Sequence, residues 1–264
     1  LINESPNKAL KGKTFITASA GNHGLSLAAG ARIFGASAVV YLSETVPKKF
    51  AEKLREKGAE VVIEGEDYEA SMKAASKRAA QESWNLLSDS TWEGYSAGYD
   101  VMEGYLMMPQ EAFEEIPTSP THIFLQAGVG GLAAAVTASA RSNWGSDPKI
   151  VIVEPSEAPA IMESIKARKP VYADGKVSIM GRLDCKEPSH LALYCLAKEA
   201  DFFMTLTDRE VLESIEVLEN YGLSTSASGG AGFAGLHRAL ISSECELSSD
   251  SRVLLFLSEG KADD

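Results

Sequence analysis

Short runs of consecutive apolar residues recur along this chain, each followed by a longer stretch with helical spacing of its apolar positions. KTFITAS (residues 13–19) leads into a predicted helix from about His23 to Phe34, and ASAVVYLS (36–43) into VPKKFAEKLREKG (46–58). AEVVIEG (59–65) precedes YEASMKAASKRAAQES (68–83), and WNLLSD (84–89) precedes a helical stretch near Gly98 to Glu115. THIFLQA (121–127) is followed by GGLAAAVTASARS (130–142), and KIVIVEP (149–155) by APAIMESIKARK (158–169). ADFFMTLT (200–207) then leads to REVLESIEVLENYG (209–222), GGAGFAGLHRALISS (229–243) is helical, and RVLLFLSEG (252–260) closes the pattern. Continuous apolar strands alternating with amphipathic helices predict an α/β architecture with parallel sheet, because parallel strands are buried on both faces. Right-handed crossovers then gather the loops after the strands' carboxyl ends on one rim, where ligands collect.

The polar, proline-containing segment EEIPTSPTH (114–122) separates four β–α units from four later strands, which predicts a small α/β domain over 14–115 and a large one over 116–264. VYADGKVSIMGRLDCKEPS (171–189) reads as a long irregular connection, and long ordered loops are often functional. At 264 residues the chain can bury a sizeable core, and its composition is that of an ordinary globular protein. A net charge of −12 argues against nucleic acid as a partner. No run of eighteen or more apolar residues predicts a membrane span, and the start carries no secretory pattern, so the cytoplasm is the expected location. The three cysteines, Cys185, Cys195 and Cys245, are read as thiols of a reducing compartment rather than as a disulfide or zinc framework.

Four strand ends carry residues suited to chemistry. TASAGNHG (17–24) opens a helix with short polar side chains, Ser19 and Asn22, beside Gly21, which permits close backbone approach. The amides at such a helix start favour a carboxylate or a phosphate, and the plain alternative is a helix capped by Ser19 or Asn22 with His23 exposed. QAGVGGLA (126–133) exposes consecutive amides suited to a phosphate. It also nearly satisfies a dinucleotide fingerprint, as Gly128-x-Gly130-x-x-Ala133, with Glu154 closing the next strand, so a nicotinamide-dependent oxidoreductase is one reading. In SDSTWEGY (88–95), Asp89 at a strand end is either a general base or the cap of a turn, and spacing does not separate the two. In LSEG (257–260), Ser258 emerges from an apolar strand. SGGAG (228–232) is a further glycine-rich helix start, and the four histidines have no metal-ligand spacing.

Together these stretches resemble the fold-type-II pyridoxal-phosphate enzymes, the tryptophan-synthase-β/threonine-dehydratase superfamily. The resemblance implies two parallel-sheet α/β domains with pyridoxal 5'-phosphate in a cleft between them. TASAGNHG is similar to the dehydratase motif S-x-G-N-H, which implies cofactor contact for Asn22 and substrate-carboxylate contact for Ser19, Ala20, Gly21 and His23. The same likeness implies a phosphate cradle at Gly128, Val129, Gly130, Gly131 and Leu132, and a hydroxyl facing the pyridine nitrogen at Ser258. A serine there, unlike an aspartate, does not hold that nitrogen protonated, which suits β-elimination better than transamination. Within the superfamily, DSTWEGY, QAGVGG, IVEPSEAP, SIMGRLDCKEPS and LSEG are most similar to the diaminopropionate ammonia-lyases. These are typically homodimers that convert 2,3-diaminopropionate to pyruvate and ammonia, and the likeness makes Asp89 the base for one substrate enantiomer. Two departures modify the expectation. Ala20 stands where such ammonia-lyases commonly carry an aspartate, as it does in threonine dehydratases, which brings hydroxy-amino acids in as substrates. None of Lys8, Lys11 and Lys13 matches the F-K-x-x-G-like segment that bears the family's Schiff-base lysine. The expectation is therefore either that the amino-terminal part of the protein lies outside this chain, or that the chain is a non-catalytic remnant.

Overall fold

The computed structural model describes residues 9–261, so Lys8 lies outside the described residues. By its contacts the chain forms two compact units, Leu1–Ser88 and Asp89–Asp264. The segment 114–122, read above as the boundary, lies within the second of them.

The first unit runs β1 (Thr14–Ala18), α1 (Asn22–Phe34), β2 (Ser37–Leu42), α2 (Lys48–Glu56), β3 (Glu60–Ile63), α3 (Tyr68–Glu82) and β4 (Asn85–Leu86). Its sheet has the order β3-β2-β1-β4, and every pair is parallel. The side chains of one strand alternate between two cores. Val40 and Leu42 pack with Leu27, Ala28, Ala51 and Leu54 of α1 and α2. Val39 and Tyr41 pack with Ala75 and Ala79 of α3 on the opposite face. Local chemistry sets the helix ends. Gly35 takes the left-handed conformation that closes α1, and the Asp67 carboxylate accepts the Ala70 amide at the start of α3.

The second unit runs α4 (Gly98–Gly104), α5 (Met107–Glu115), β5 (His122–Gln126), α6 (Gly131–Trp144), β6 (Lys149–Pro155), α7 (Ala160–Ala167), α8 (His190–Glu199), β7 (Phe202–Leu206), α9 (Asp208–Asn220), α10 (Ala231–Ser242) and β8 (Val253–Leu255). The sheet order is β7-β6-β5-β8, again wholly parallel. Ile123, Leu125, Ile150 and Ile152 face α6 and α8, while Phe124, Val151 and Val153 face α9 and α10. Both sheets therefore share one plan. Two strands are added to one side of the first, and the fourth returns to its other side.

The predicted strands are all present, with two differences among the helices. The helical stretch near Gly98 to Glu115 is two helices, because Pro109 in the first turn of α5 has no N–H to continue the α4 ladder. Helix α8 was not predicted, since its ten residues, HLALYCLAKE, follow directly on the irregular segment. It forms because Ala192, Leu193 and Leu196 are buried against α6 in the core.

Arg141 ties the ends of three elements. Its guanidinium donates to the Glu199 carbonyl at 3.1 and 2.7 Å, to the Pro148 carbonyl at 2.8 Å and to Asp201 Oδ2 at 2.8 Å. Asp201 Oδ2 also accepts the Ile150 amide. Only a planar fork of donors meets all these acceptors at once. Arg141→Ala is expected to lower stability by about 2–3 kcal/mol, and Arg141→Lys to recover little of it, read from the urea midpoint of each variant.

Candidate active site

In a doubly wound sheet the loops on either side of the strand where the winding reverses leave toward opposite faces, and a gap opens between them. Here the reversal lies between β1 and β4 in the first unit and between β5 and β8 in the second. The loops after these four strands are the four stretches selected above for their chemistry.

In the first unit, Gly21 is the N-cap of α1 and makes no side-chain cap. Ser19 serves instead, its Oγ accepting the amides of Gly24 at 3.0 Å and Gly21 at 3.3 Å. The capping reading thus holds for Ser19, whose own hydroxyl proton is still available to donate. A Cβ on Gly24 would stand 2.7 Å from the Ser19 carbonyl oxygen, so the turn requires glycine there. His23 is not merely exposed. Its Nε2 lies 2.9 Å from the Leu87 carbonyl, and since a carbonyl only accepts, that nitrogen carries the proton. This bond joins the start of α1 to the segment after β4. Asn22 is exposed at the first position of α1, and Ala20 is half-buried in the same turn.

In the second unit, the loop 127–130 joins the buried end of β5 to α6. Gly130 is the N-cap at φ 96°, and no side chain caps the helix. A Cβ on Gly130 would stand 2.9 Å from Ile161 Cδ1, and one on Gly128 would stand 3.0 Å from the Arg182 carbonyl oxygen. The glycines are needed because helix and loop pack closely behind them, and the first-turn amides of α6 are left without side-chain partners. Val129 and Leu132 are half-buried within this cradle. Its back is fixed by Ser189, whose amide donates to the Val129 carbonyl at 2.9 Å. The Ser189 hydroxyl accepts the Thr91 amide at 3.0 Å and pairs with the Thr91 hydroxyl at 2.9 Å. Thr91 Oγ1 also accepts the Leu191 amide, so the segment holding Asp89, the end of the long loop and the glycine loop form one buried network. Asp89 is half-buried near Tyr105, whose hydroxyl is pushed up to about 12 by burial and then by the Asp89 charge.

Ser258 is exposed just past β8, and its Oγ accepts a hydrogen bond from Gln126 at 3.0 Å. Next to it, Glu259 meets the Arg182 guanidinium at 2.6 Å, and the Ser226 hydroxyl donates to the same carboxylate. The long loop is thereby attached to the strand end that carries Ser258. A second anchor is the buried Lys186 ammonium, which donates to Asp184 Oδ1 and to the Glu157 and Lys176 carbonyls at 2.6–2.9 Å. Sequence reasoning placed this loop near function without selecting Arg182, Lys186, Ser189, Thr91 or Gln126, since each acts through a distant partner.

Glu154 corrects the oxidoreductase reading. Its two carboxylate oxygens accept the Ile161 and Met162 amides at 2.7 and 2.9 Å, and the residue is 1% exposed. It caps α7 and is not presented to a ribose. Among the described residues no group of three or more His, Cys, Asp or Glu side chains could hold a metal, none of the three cysteines is in a disulfide, and no helix is long and apolar enough to cross a membrane.

Residues 1–259 match the family described as pyridoxal-phosphate dependent enzyme. The chain belongs to that family. Diaminopropionate ammonia-lyase of Escherichia coli (strain K12) is 30% identical over 268 residues, covering 95% of this chain and 67% of the relative. The crystal structure of the Escherichia coli diaminopropionate ammonia-lyase in complex with D-serine is 28% identical with a TM-score of 0.88, covering 97% of this chain and 69% of that one. L-threonine ammonia-lyase of Thermotoga maritima is 23% identical over 84% of this chain and 53% of its own length. The two four-stranded parallel sheets are those of the fold-type-II pyridoxal-phosphate enzymes, and pyridoxal phosphate is the family's cofactor. The glycine cradle fits its phosphate, because packing enforces the glycines from behind while no side chain occupies the helix start.

Burial raises the Glu154 carboxyl from 4.5 to about 7, against the opposing effect of the two amide bonds. The folded state therefore binds more protons than the unfolded chain between those values. The contribution of this group falls as pH rises through that window, by a few kcal/mol at most. Glu154→Gln is expected to flatten the fall in thermal midpoint between pH 4.5 and about 7, measured by calorimetry.

Proposed function

We propose that this protein is an ammonia-lyase that removes the β-amino group of 2,3-diaminopropionate, a small amino-acid substrate, to give pyruvate and ammonia. The observation that carries the reading is the 30% identity to a diaminopropionate ammonia-lyase over 95% of the chain. It is supported by the loops at both reversals of strand order, whose residues suit the same chemistry.

In this reading the cradle of Gly128, Val129, Gly130, Gly131 and Leu132 binds the cofactor phosphate through amides at the start of α6. Asn22 contacts the ring hydroxyl, and Ser258 donates to the ring nitrogen. The turn of Ser19, Ala20, Gly21 and His23 takes the substrate carboxylate, with the Ser19 hydroxyl proton available because its oxygen already accepts two amides. Pyridoxal phosphate, when bound, supplies a sink for the electron pair left at Cα. Asp89 takes the α-proton. It is half-buried beside Tyr105, in the segment that follows β4, and a carboxylate held within reach of the α-proton is a usual general base. The Cα pair then moves toward Cβ, the C–N bond at Cβ breaks, and the amine leaves with its electrons and a proton. Water releases the remaining nitrogen, so one diaminopropionate and one water give one pyruvate and two ammonia. We place the protein in the cytoplasm as a homodimer, on the family likeness.

Ala20 supports a second reading, a serine or threonine dehydratase, because the turn has no second carboxylate for the opposite face of Cα. Incubating the full-length protein with pyridoxal phosphate and each enantiomer of diaminopropionate, serine and threonine separates the two. Pyruvate and ammonia from L-diaminopropionate are expected to form fastest. Faster turnover of serine or threonine moves the assignment to the dehydratases, and no keto acid from any of them removes the lyase reading. Asp89→Asn is expected to lower kcat by about 10²–10⁴-fold, the usual contribution of a general base, with pyridoxal phosphate still bound. Ala20→Asp is expected to add turnover of the D-enantiomer in the same assay.

A further inference from the structure

Gln126 lies at the end of β5 and is 2% exposed, beside the β8 chain that carries Ser258. Its Nε2 is 2.8 Å from the Phe256 carbonyl, 3.0 Å from Ser258 Oγ and 3.3 Å from the Gly229 carbonyl. Two of these three oxygens are carbonyls, which only accept, so the amide must turn its NH2 toward them. Ser258 Oγ is then an acceptor toward Gln126. Its own proton points elsewhere, and the residue is exposed. The opposite end of the amide shows what this orientation sacrifices. Gln126 Oε1 is buried with no hydrogen-bond partner among the described residues, and a Cβ on Gly232 would stand 2.9 Å from it. A buried carbonyl oxygen left unpaired is unfavourable, and here it accompanies an NH2 group shared among three acceptors around Ser258.

We propose that Gln126 is a positioning residue that holds the Ser258 hydroxyl as a hydrogen-bond donor toward the cofactor's ring nitrogen, and so keeps that nitrogen unprotonated. The proposal rests on the role given to Ser258 above. A donor facing the ring nitrogen is compatible only with a nitrogen that keeps its lone pair. Were the amide replaced by a carboxyl group, its single O–H would go to one of the carbonyls and its other oxygen would accept the Ser258 proton. The donor would then be turned away from the ring.

The test uses full-length protein reconstituted with pyridoxal phosphate carrying ¹⁵N in the ring, whose chemical shift reports both protonation and hydrogen bonding at that nitrogen. In the wild type the signal is expected to be that of an unprotonated, hydrogen-bonded nitrogen and to stay constant with pH. In Q126E it is expected to move away from that position and to become pH-dependent, with kcat lowered roughly tenfold, about what one hydrogen bond contributes, and KM little changed. Q126M, which needs no partner, guards against misfolding of the acidic variant and is expected to move the signal too. The deciding comparison is made in the S258A background. If Gln126 acts through Ser258, Q126E/S258A gives the signal of S258A alone. An undiminished further effect of Q126E there, or a wild-type signal in folded Q126M, overturns the proposal. A wild-type signal in S258A itself shows instead that the Ser258 assignment is wrong, and the proposal falls with it.

Discussion

The organisation of this protein depends on one topological constraint, the return of the fourth strand to the other side of the first in each parallel sheet. Strands added to one side carry their crossover helices on one face. The returning strand brings its helices along the other. This places α1 and α2 opposite α3 in the first unit, and α6 and α8 opposite α9 and α10 in the second. At the reversal, strand ends lie side by side while their outgoing chains separate. Backbone amides and short polar side chains are left there without a neighbouring crossover to cover them.

The loops at these reversals are built on contacts behind them. Gly24, Gly128 and Gly130 are glycine because a Cβ would meet the Ser19 carbonyl, the Arg182 carbonyl or Ile161. Hydroxyl and amide groups whose second capacity is already used, such as Ser19 accepting two amides and Ser258 accepting from Gln126, keep one defined function free. The long loop of residues 171–189 is held by Lys186, by the pair of Arg182 and Glu259, and by Ser189. Each anchor is a charged or hydroxyl group meeting backbone or side chain from another part of the second unit. An irregular segment of this length keeps one conformation because its polar groups are satisfied one by one.

The elements were legible where periodicity was strong. Every strand was readable from its apolar run, most plainly β2, β5 and β6, because a strand buried on both faces leaves few polar positions. The break between α4 and α5 was marked by Pro109, though its neighbours have helical spacing. Helix α8 was hidden because its ten residues follow directly on an irregular loop, and Ser189 at its N-cap turns its hydroxyl to Thr91 and makes no side-chain cap; its register comes from burial of Leu193 and Leu196 against α6. For the candidate site, the glycine loop, TASAGNHG, Asp89 and Ser258 could be selected from the sequence because their residue types follow apolar strand runs, and the structure places them after the strands at which the winding reverses. Glu154 occupied a fingerprint position by spacing alone, and its hydrogen bonds to α7 gave it a different role.

The sequence by itself determined the α/β class, the strands and the short motifs at their ends, because each depends on residues within a few positions of one another. The tertiary structure decided which strand ends became neighbours and which polar groups met across the chain. Thr91 with Ser189, Gln126 with Ser258 and His23 with Leu87 are pairs separated by most of a unit. No local spacing encodes them. They follow from strand order, which is settled by how the helices cover the two faces of each sheet.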